Sequence, residues 1–183
     1  MIPLLIPKVL SKEECSVLSE ELFYLYDTKQ THNDNRCPIS DAVYGAKLHK
    51  NIAYKLIQAI QQHTGVKLFL TFVYSRIYRK GEILKIHTDR EECEYSVSVT
   101  LGHSGINSWE MFIKDYDDKI HKFTPDIGDL IVFKGNSMNH WREQFTGEWQ
   151  TQAIFSFVNS KGKLHYFVND PTHAEHVPKL IYE

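Results

Sequence analysis

Residues 74–89 read YSRIYRKGEILKIHTD. Two β-rich runs, YSRIY and EILKIH, are parted by the turn pair Lys80-Gly81, so the stretch predicts two successive strands. At the end of the second, His87 and Asp89 stand two apart and on extended backbone point to the same face. Much later in the chain NHWRE (139–143) brings His140, a candidate third ligand from a distant strand. Two imidazoles and one carboxylate on one side of a metal ion leave the opposite positions open to small molecules. A structural zinc site would instead use four closed ligands, often with Cys. In a chain with ten His a lone His-x-Asp pair says little, and its weight comes from the residues around it.

Outward from this stretch the texture is that of strands. LFLTFVYSRIY (68–78) is β-rich and EYSVSVTL (94–101) alternates strictly. SWEMFIKD and KIHKFTP flank an acidic tip, Asp115 to Asp118, and predict a hairpin. The DIGD turn (126–129) feeds the apolar run LIVFK, and WREQF and WQTQAIFSFV predict a further hairpin around Thr146-Gly147. Upstream, Ser11-Lys12-Glu13-Glu14 is a capping box opening a helix to about Tyr26, with Cys15, Leu18, Leu22 and Leu25 on one face. A second helix is predicted over 46–63, with Leu48, Ile52, Leu56, Ala59 and Ile60 inward and a stop near Gly65. Residues 27–45 are polar and aperiodic, which predicts a long loop, a candidate lid. Two helices followed by about eight strands predict an α+β, mainly β fold: a double-stranded β-helix, or jelly roll, backed by N-terminal helices. With no repeat or linker, residues 1–183 form one domain: helical support and possible lid over 1–66, a catalytic core over 67–160, and a C-terminal extension over 161–183.

The chain has 183 residues, 42% hydrophobic and 24% charged, enough for one core. Its net charge of −2 gives no global field toward nucleic acid or anionic membrane, although a local basic patch stays open. No run of apolar residues is long enough to span a membrane, and MIPLLIPKVL lacks the features of a signal peptide. Cys15, Cys37 and Cys93 are odd in number and widely spaced, which excludes a disulfide framework and predicts a reducing, cytoplasmic setting.

The ordered string Tyr78-x-x-Gly81, His87-x-Asp89, the Gly128-Asp129 turn, an apolar strand and His140 resembles the 2-oxoglutarate/Fe(II)-dependent dioxygenases of the prolyl-hydroxylase-like group. RIYRKG, HTDR and HWRE are similar to strings in bacterial and phage members, and the resemblance covers roughly residues 68–160. It implies that His87, Asp89 and His140 hold Fe(II), with 2-oxoglutarate as cosubstrate cleaved to succinate and carbon dioxide while a substrate is hydroxylated. It also implies that Tyr78, nine residues before the first ligand, reaches the cosubstrate. The family usually carries Arg or Lys nine to eleven positions beyond the distal His, where this chain has Trp149, Gln150 and Thr151. Arg142, in phase with His140 and expected opposite Thr151 in a hairpin, is the candidate replacement; Arg76, in phase with Tyr74 and Tyr78, is the reserve, and a surface pairing of Arg142 with Glu143 stays open.

The substrate is less determined. Arg79, Lys80, Lys85 and Arg90 bracket the metal strand but Glu91, Glu92 and Glu94 follow, which argues against phosphate tracking along nucleic acid without excluding it. Trp109, Trp141 and Trp149 line a pocket or fill a core. His103, His121, His165, His173 and His176 read as surface or packing residues, and Asp129 as a turn former. A small molecule, free amino acid or peptide side chain fits, and a non-catalytic jelly-roll binding or sensor module is the rival class.

Overall fold

A computed structural model describes residues 2–105 and 108–169; His173 and His176 lie outside the described residues. The Ser11 hydroxyl accepts from the Glu14 N–H and the Glu14 carboxylate accepts from the Ser11 N–H, closing the capping box that opens helix α1 (Lys12–Asp27). Helix α2 (Lys47–Thr64) ends on Gly65, left-handed at φ 68. Its buried face is His49, Ala53, Leu56, Ile57 and Ile60; Leu48 is exposed and Ile52 and Ala59 only half-buried, so the expected stripe is rotated. The buried His49 displaces the apolar pattern. Its imidazole bridges the Leu18 carbonyl (2.9 Å) and the Ser75 hydroxyl (2.7 Å), tying α1 to the sheet.

The strands are β1 (Leu4–Ile6), β2 (His32–Asp34), β3 (Cys37–Tyr44), β4 (Leu68–Arg79), β5 (Leu84–His87), β6 (Tyr95–His103), β7 (Met111–Lys114), β8 (Ile120–Phe123), β9 (Leu130–Phe133), β10 (His140–Arg142) and β11 (Trp149–Asn159). They form a seven-stranded sheet in the order β1-β9-β6-β11-β4-β3-β2 and a four-stranded sheet in the order β5-β10-β7-β8, all antiparallel. Two antiparallel sheets fed alternately by the chain are a jelly roll. On β4 and β11 the outward residues Val73, Ile77, Ala153 and Phe155 join Leu18, Leu22, Leu56 and Ile60 of the helices in the main core. The inward residues Tyr74, Arg76, Tyr78, Gln150, Gln152 and Ser156 are polar or aromatic, with Ile154 the apolar one among them. That period-two split places an apolar core outside the large sheet and a functional interior inside it.

Three expectations need correction. Residues 27–45 are not a long loop: β2 and β3 form a hairpin on the edge of the large sheet, β3 pairing β4 with Ala42 opposite Arg76 and Tyr44 opposite Tyr74. The sheet therefore draws on residues before 67, and the core is not confined to 67–160. Nor do β10 and β11 form a hairpin. They belong to different sheets, β10 pairing β5 and β7 and β11 pairing β4 and β6, so Arg142 does not pair with Thr151. Finally, the described residues hold eleven strands where about eight were expected. The DIGD turn does form, with Gly128 at φ 89. A Cβ there would collide with the Leu10 carbonyl, while Gly128 O accepts from the Val9 and Leu10 N–H groups.

Candidate metal and anion site

The strand pairing brings the sequence-distant His140 to His87 and Asp89, the other two candidate ligands. His140 on β10 lies directly opposite His87 on β5, and their rings sit 4.1 Å apart. Asp89 follows β5, its N–H donating to the Gly135 carbonyl (2.8 Å). Asp89 Oδ1 is 3.6 Å from His87 Nε2 and 3.6 Å from His140 Nε2. Ligands about 2.1 Å from one ion stand about 3–3.5 Å apart, so these donors fit a first-row metal after small adjustments. Among the described residues this is the group of His, Cys, Asp or Glu side chains that could hold one.

Neighbouring groups aim each donor. His87 Nδ1 lies 2.7 Å from the Lys85 carbonyl and His140 Nδ1 3.0 Å from the Met138 carbonyl, so each Nδ1–H donates to backbone and Nε2 keeps the lone pair. The Ser96 hydroxyl donates to Asp89 Oδ2 (2.8 Å), leaving Oδ1 for a metal. Burial by itself raises the Asp89 pKa, but His140, His87 and Ser96 more than reverse this and hold the carboxyl well below the usual range. Gly135 is required by closeness: a Cβ there would run into the Ser96 hydroxyl and stand 2.6 Å from Asp89 Oδ2. The sequence gives no sign of this except the glycine itself.

The triad opens on a cavity of ≈ 350 Å³ between the sheets, which also takes in Tyr78, Arg76 and Arg142. Arg142 is 1% exposed, yet no carboxylate pairs with it among the described residues. One arm donates to the Trp109 and Glu110 carbonyls, the other approaches Met111 Sδ (3.8 Å), and the guanidinium lies 5.2 Å from the Trp109 ring centroid. Burial lowers its pKa to about 10, against the smaller opposing effects of Tyr78 and Cys37. Tyr78 is buried, its pKa pushed up to about 12 by that burial, so the hydroxyl keeps its proton. Among the described residues it has no hydrogen-bond partner.

Arg76 is different. It donates to Asp34 Oδ2 (2.7 Å) and to the Tyr74 hydroxyl (2.9 Å), so its charge is already met. Asp34 in turn accepts the Tyr74 O–H (2.6 Å) and the Arg36 and Cys37 N–H groups, fixing the turn of the β2–β3 hairpin at the cavity mouth. Where the resemblance places a cation on β11, Trp149 and Thr151 face the helices, against Phe23 and the Ser19 hydroxyl. Gln150 faces inward but is consumed in a chain of amides: its Oε1 accepts the Trp109 N–H and its Nε2 donates to Gln152, which donates to Ser98. His103 and His165 bond only nearby carbonyls and His121 pairs with Asp115, all away from the cavity. Of the tryptophans only Trp109 is buried, against Tyr78 and Phe145.

The fold has counterparts among solved structures. A prolyl hydroxylase from Trichoplax adhaerens, in complex with a hypoxia inducible factor oxygen degradation domain peptide, superposes with a TM-score of 0.71 at 13% identity. It covers 87% of this chain and 84% of its own. A Pseudomonas putida prolyl-4-hydroxylase matches with a TM-score of 0.67 at 15% identity over 86% of this chain and 92% of its own. HygX from Streptomyces hygroscopicus, with nickel and 2-oxoglutarate bound, gives 0.68 at 16% identity over 87% and 83%. This chain has the fold of the 2-oxoglutarate/Fe(II) oxygenases. An epimerase and a carbocyclase from nogalamycin biosynthesis share that fold, so it does not by itself fix the reaction. No protein-family model and no curated protein sequence matches the chain.

Proposed function

We propose that this chain is a 2-oxoglutarate- and Fe(II)-dependent oxygenase that hydroxylates a small molecule, an amino acid or a peptide side chain. The observation that carries the reading is the buried, acid-free Arg142 facing the same cavity as the triad. A guanidinium out of water with no counter-ion is costly, by several kcal/mol, and is kept where an anion is to be bound. The charges then close: a divalent ion with Asp89 leaves one positive charge, Arg142 supplies the second, and 2-oxoglutarate is a dianion.

His87 Nε2, Asp89 Oδ1 and His140 Nε2 would hold the iron, which when bound supplies oxygen activation at the expense of 2-oxoglutarate. Arg142 and the Tyr78 hydroxyl bind the cosubstrate's far carboxylate, the guanidinium as a planar fork and the phenol as a donor. Arg76 stays with Asp34 and holds the hairpin. Phe133, Met111 and Ile154 give the cavity apolar walls that exclude water. We place the chain in the cytoplasm on its three free, buried cysteines; no helix among the described residues is long and apolar enough to cross a membrane.

Anaerobic calorimetry with Mn(II) and then 2-oxoglutarate tests the binding, and succinate release with Fe(II) in air tests turnover. Wild type should bind both and release succinate; His87→Ala, Asp89→Ala and His140→Ala should each lose metal binding with the far-ultraviolet spectrum unchanged. Tight binding of both with no succinate across candidate substrates would make the molecule a sensor rather than an enzyme.

A further inference from the structure

The chain has five arginines and sixteen lysines. Four of those arginines, Arg36, Arg76, Arg90 and Arg142, line the triad cavity, and among the described residues no lysine does. The segregation has a chemical meaning. Arginine grips planar oxyanions with a rigid fork and lies flat on rings, whereas lysine is a strongly hydrated point charge. Three of the four lie over rings: Arg76 over Tyr74 (5.0 Å) and Tyr78 (5.6 Å), Arg90 over Phe72 (4.9 Å) and Arg142 over Trp109.

Among the described residues two carboxylates, Asp34 and Asp89, line the same cavity, so four cations face two anions inside a protein whose net charge is −2. On the reading above, a divalent metal and dianionic 2-oxoglutarate cancel and leave that excess of two. Glu92 offsets one, at 3.0 Å from Arg90. The remaining positive charge belongs to Arg36 at the hairpin turn, whose Nη1 stands 3.6 Å from Asp89 Oδ1. With Asp89 holding a metal, its charge would be met there and Arg36, whose side chain is 45% exposed, would be free to turn into the mouth. Beside it Tyr44, Phe72 and Tyr74 make an aromatic wall, with ring centroids 4.5 Å apart for Tyr44 and Tyr74 and His32 stacked beyond at 5.7 Å.

We propose that the substrate is a small acidic molecule, carrying a carboxylate or phosphate next to a flat ring. Arg36 takes the oxyanion, and Tyr44 and Phe72 take the ring. This rests on the oxygenase reading and narrows its substrate. The position of Arg36 puts the acid group at the metal's edge. The cavity volume lies at the low end for ligand sites and suits a small molecule better than a duplex.

The test uses the full chain loaded with Mn(II) and 2-oxoglutarate without oxygen. Benzoate, phenyl phosphate and neutral benzamide serve as probes, and proton line broadening by the Mn(II) reports proximity, with Zn(II) as the diamagnetic control. Benzoate or phenyl phosphate should bind at least tenfold more tightly than benzamide and broaden, and which of the two is favoured tells carboxylate from phosphate. Arg36→Gln should weaken the anionic probes by roughly tenfold and Arg36→Lys by less. Both should leave the 2-oxoglutarate affinity unchanged. Equal binding of benzamide, or indifference to Arg36→Gln, overturns the proposal. So does displacement of phenyl phosphate by a single-stranded oligonucleotide with strong salt dependence, which would mark a nucleic-acid substrate. Failure of Mn(II) or 2-oxoglutarate to bind would sink the oxygenase reading and this one with it. Binding of both without preference for acidic probes would sink this one alone.

Discussion

Replacing Arg142 by Met should move stability and cosubstrate affinity in different ways, and the structure supplies both magnitudes. Lowering the Arg142 pKa from 12.5 to about 10 corresponds to about 3 kcal/mol by which burial disfavours the charge in the free protein. Met removes that penalty and keeps most of the apolar stem, but leaves the buried Trp109 carbonyl without its donor, at a cost of about 1–3 kcal/mol. The two nearly cancel, so the melting temperature of the ligand-free protein should change by no more than a few degrees. Affinity should not be spared. Losing a charge-assisted pair worth about 1.5–3 kcal/mol raises the 2-oxoglutarate Kd about ten- to a hundredfold. At a concentration of about 100 Kd for wild type, binding stabilises that protein by about 2.7 kcal/mol and the variant by about 0.4–1.4 kcal/mol. For a chain of this length these are shifts of about 5–10 °C and about 1–5 °C. Differential scanning fluorimetry with Mn(II), with and without 2-oxoglutarate, reads both. A variant that melts far lower without ligand yet keeps the full ligand-induced shift would refute the reasoning and make Arg142 a structural cation.

Gly135→Ala should lower Mn(II) affinity at least tenfold by forcing Ser96 and Asp89 apart, read by calorimetry on protein whose circular dichroism is unchanged. His49 is buried and its pKa is lowered, chiefly by burial, so the unfolded chain takes up a proton first as pH falls. Stability should be full above about pH 6.5 and decline below it, with a smaller decline in His49→Gln, checked by melting temperatures at pH 7.5 and 5.5. Trp141, stacked on Phe112 at 5.5 Å, stiffens β10 from its outer face. Trp141→Ala should weaken Mn(II) binding and, at saturating Mn(II), 2-oxoglutarate binding together by a few-fold; loss of one alone would show that β10 does not move as a unit.

The convergence of His87, Asp89 and His140 was legible in the sequence because it needs only strand ends and spacing: His87-x-Asp89 lies at a strand end and His140 follows an apolar strand. The capping box at Ser11 was legible for the same local reason. The β2–β3 hairpin was not. Its buried positions Ser40 and Ala42 carry a hydroxyl bonded to Glu82 and a lone methyl rather than large apolar side chains, so the alternation that announces a strand is missing. The α2 stripe was misphased because a polar residue, His49, holds a central core position through two hydrogen bonds no hydropathy pattern records. Pairing β10 with β11 followed from adjacency, the commoner outcome for consecutive strands. A jelly roll instead passes the chain from one sheet to the other, and residues 143–148 make that crossing.

That crossing also accounts for where the cation sits. The interior of β11 is given over to the amide chain from Gln150 through Gln152 to Ser98, which links β11 to β6 and occupies the inward positions there. The positive charge moves to the facing sheet, onto β10, two residues from His140. Two residues of extended chain span about 6.6 Å, comparable with the reach of a five-carbon dicarboxylate from its chelating end to its far carboxylate. One short strand thus carries both a metal ligand and the proposed carboxylate anchor, and their separation is set by backbone geometry rather than by the packing of two sheets. Asp34 serves the same division of charge from the other side. By neutralising Arg76 it leaves Arg142 as the deep cation without an acid among the described residues, so on the proposed reading a dianion entering the cavity would meet one anchor at the metal and one at β10.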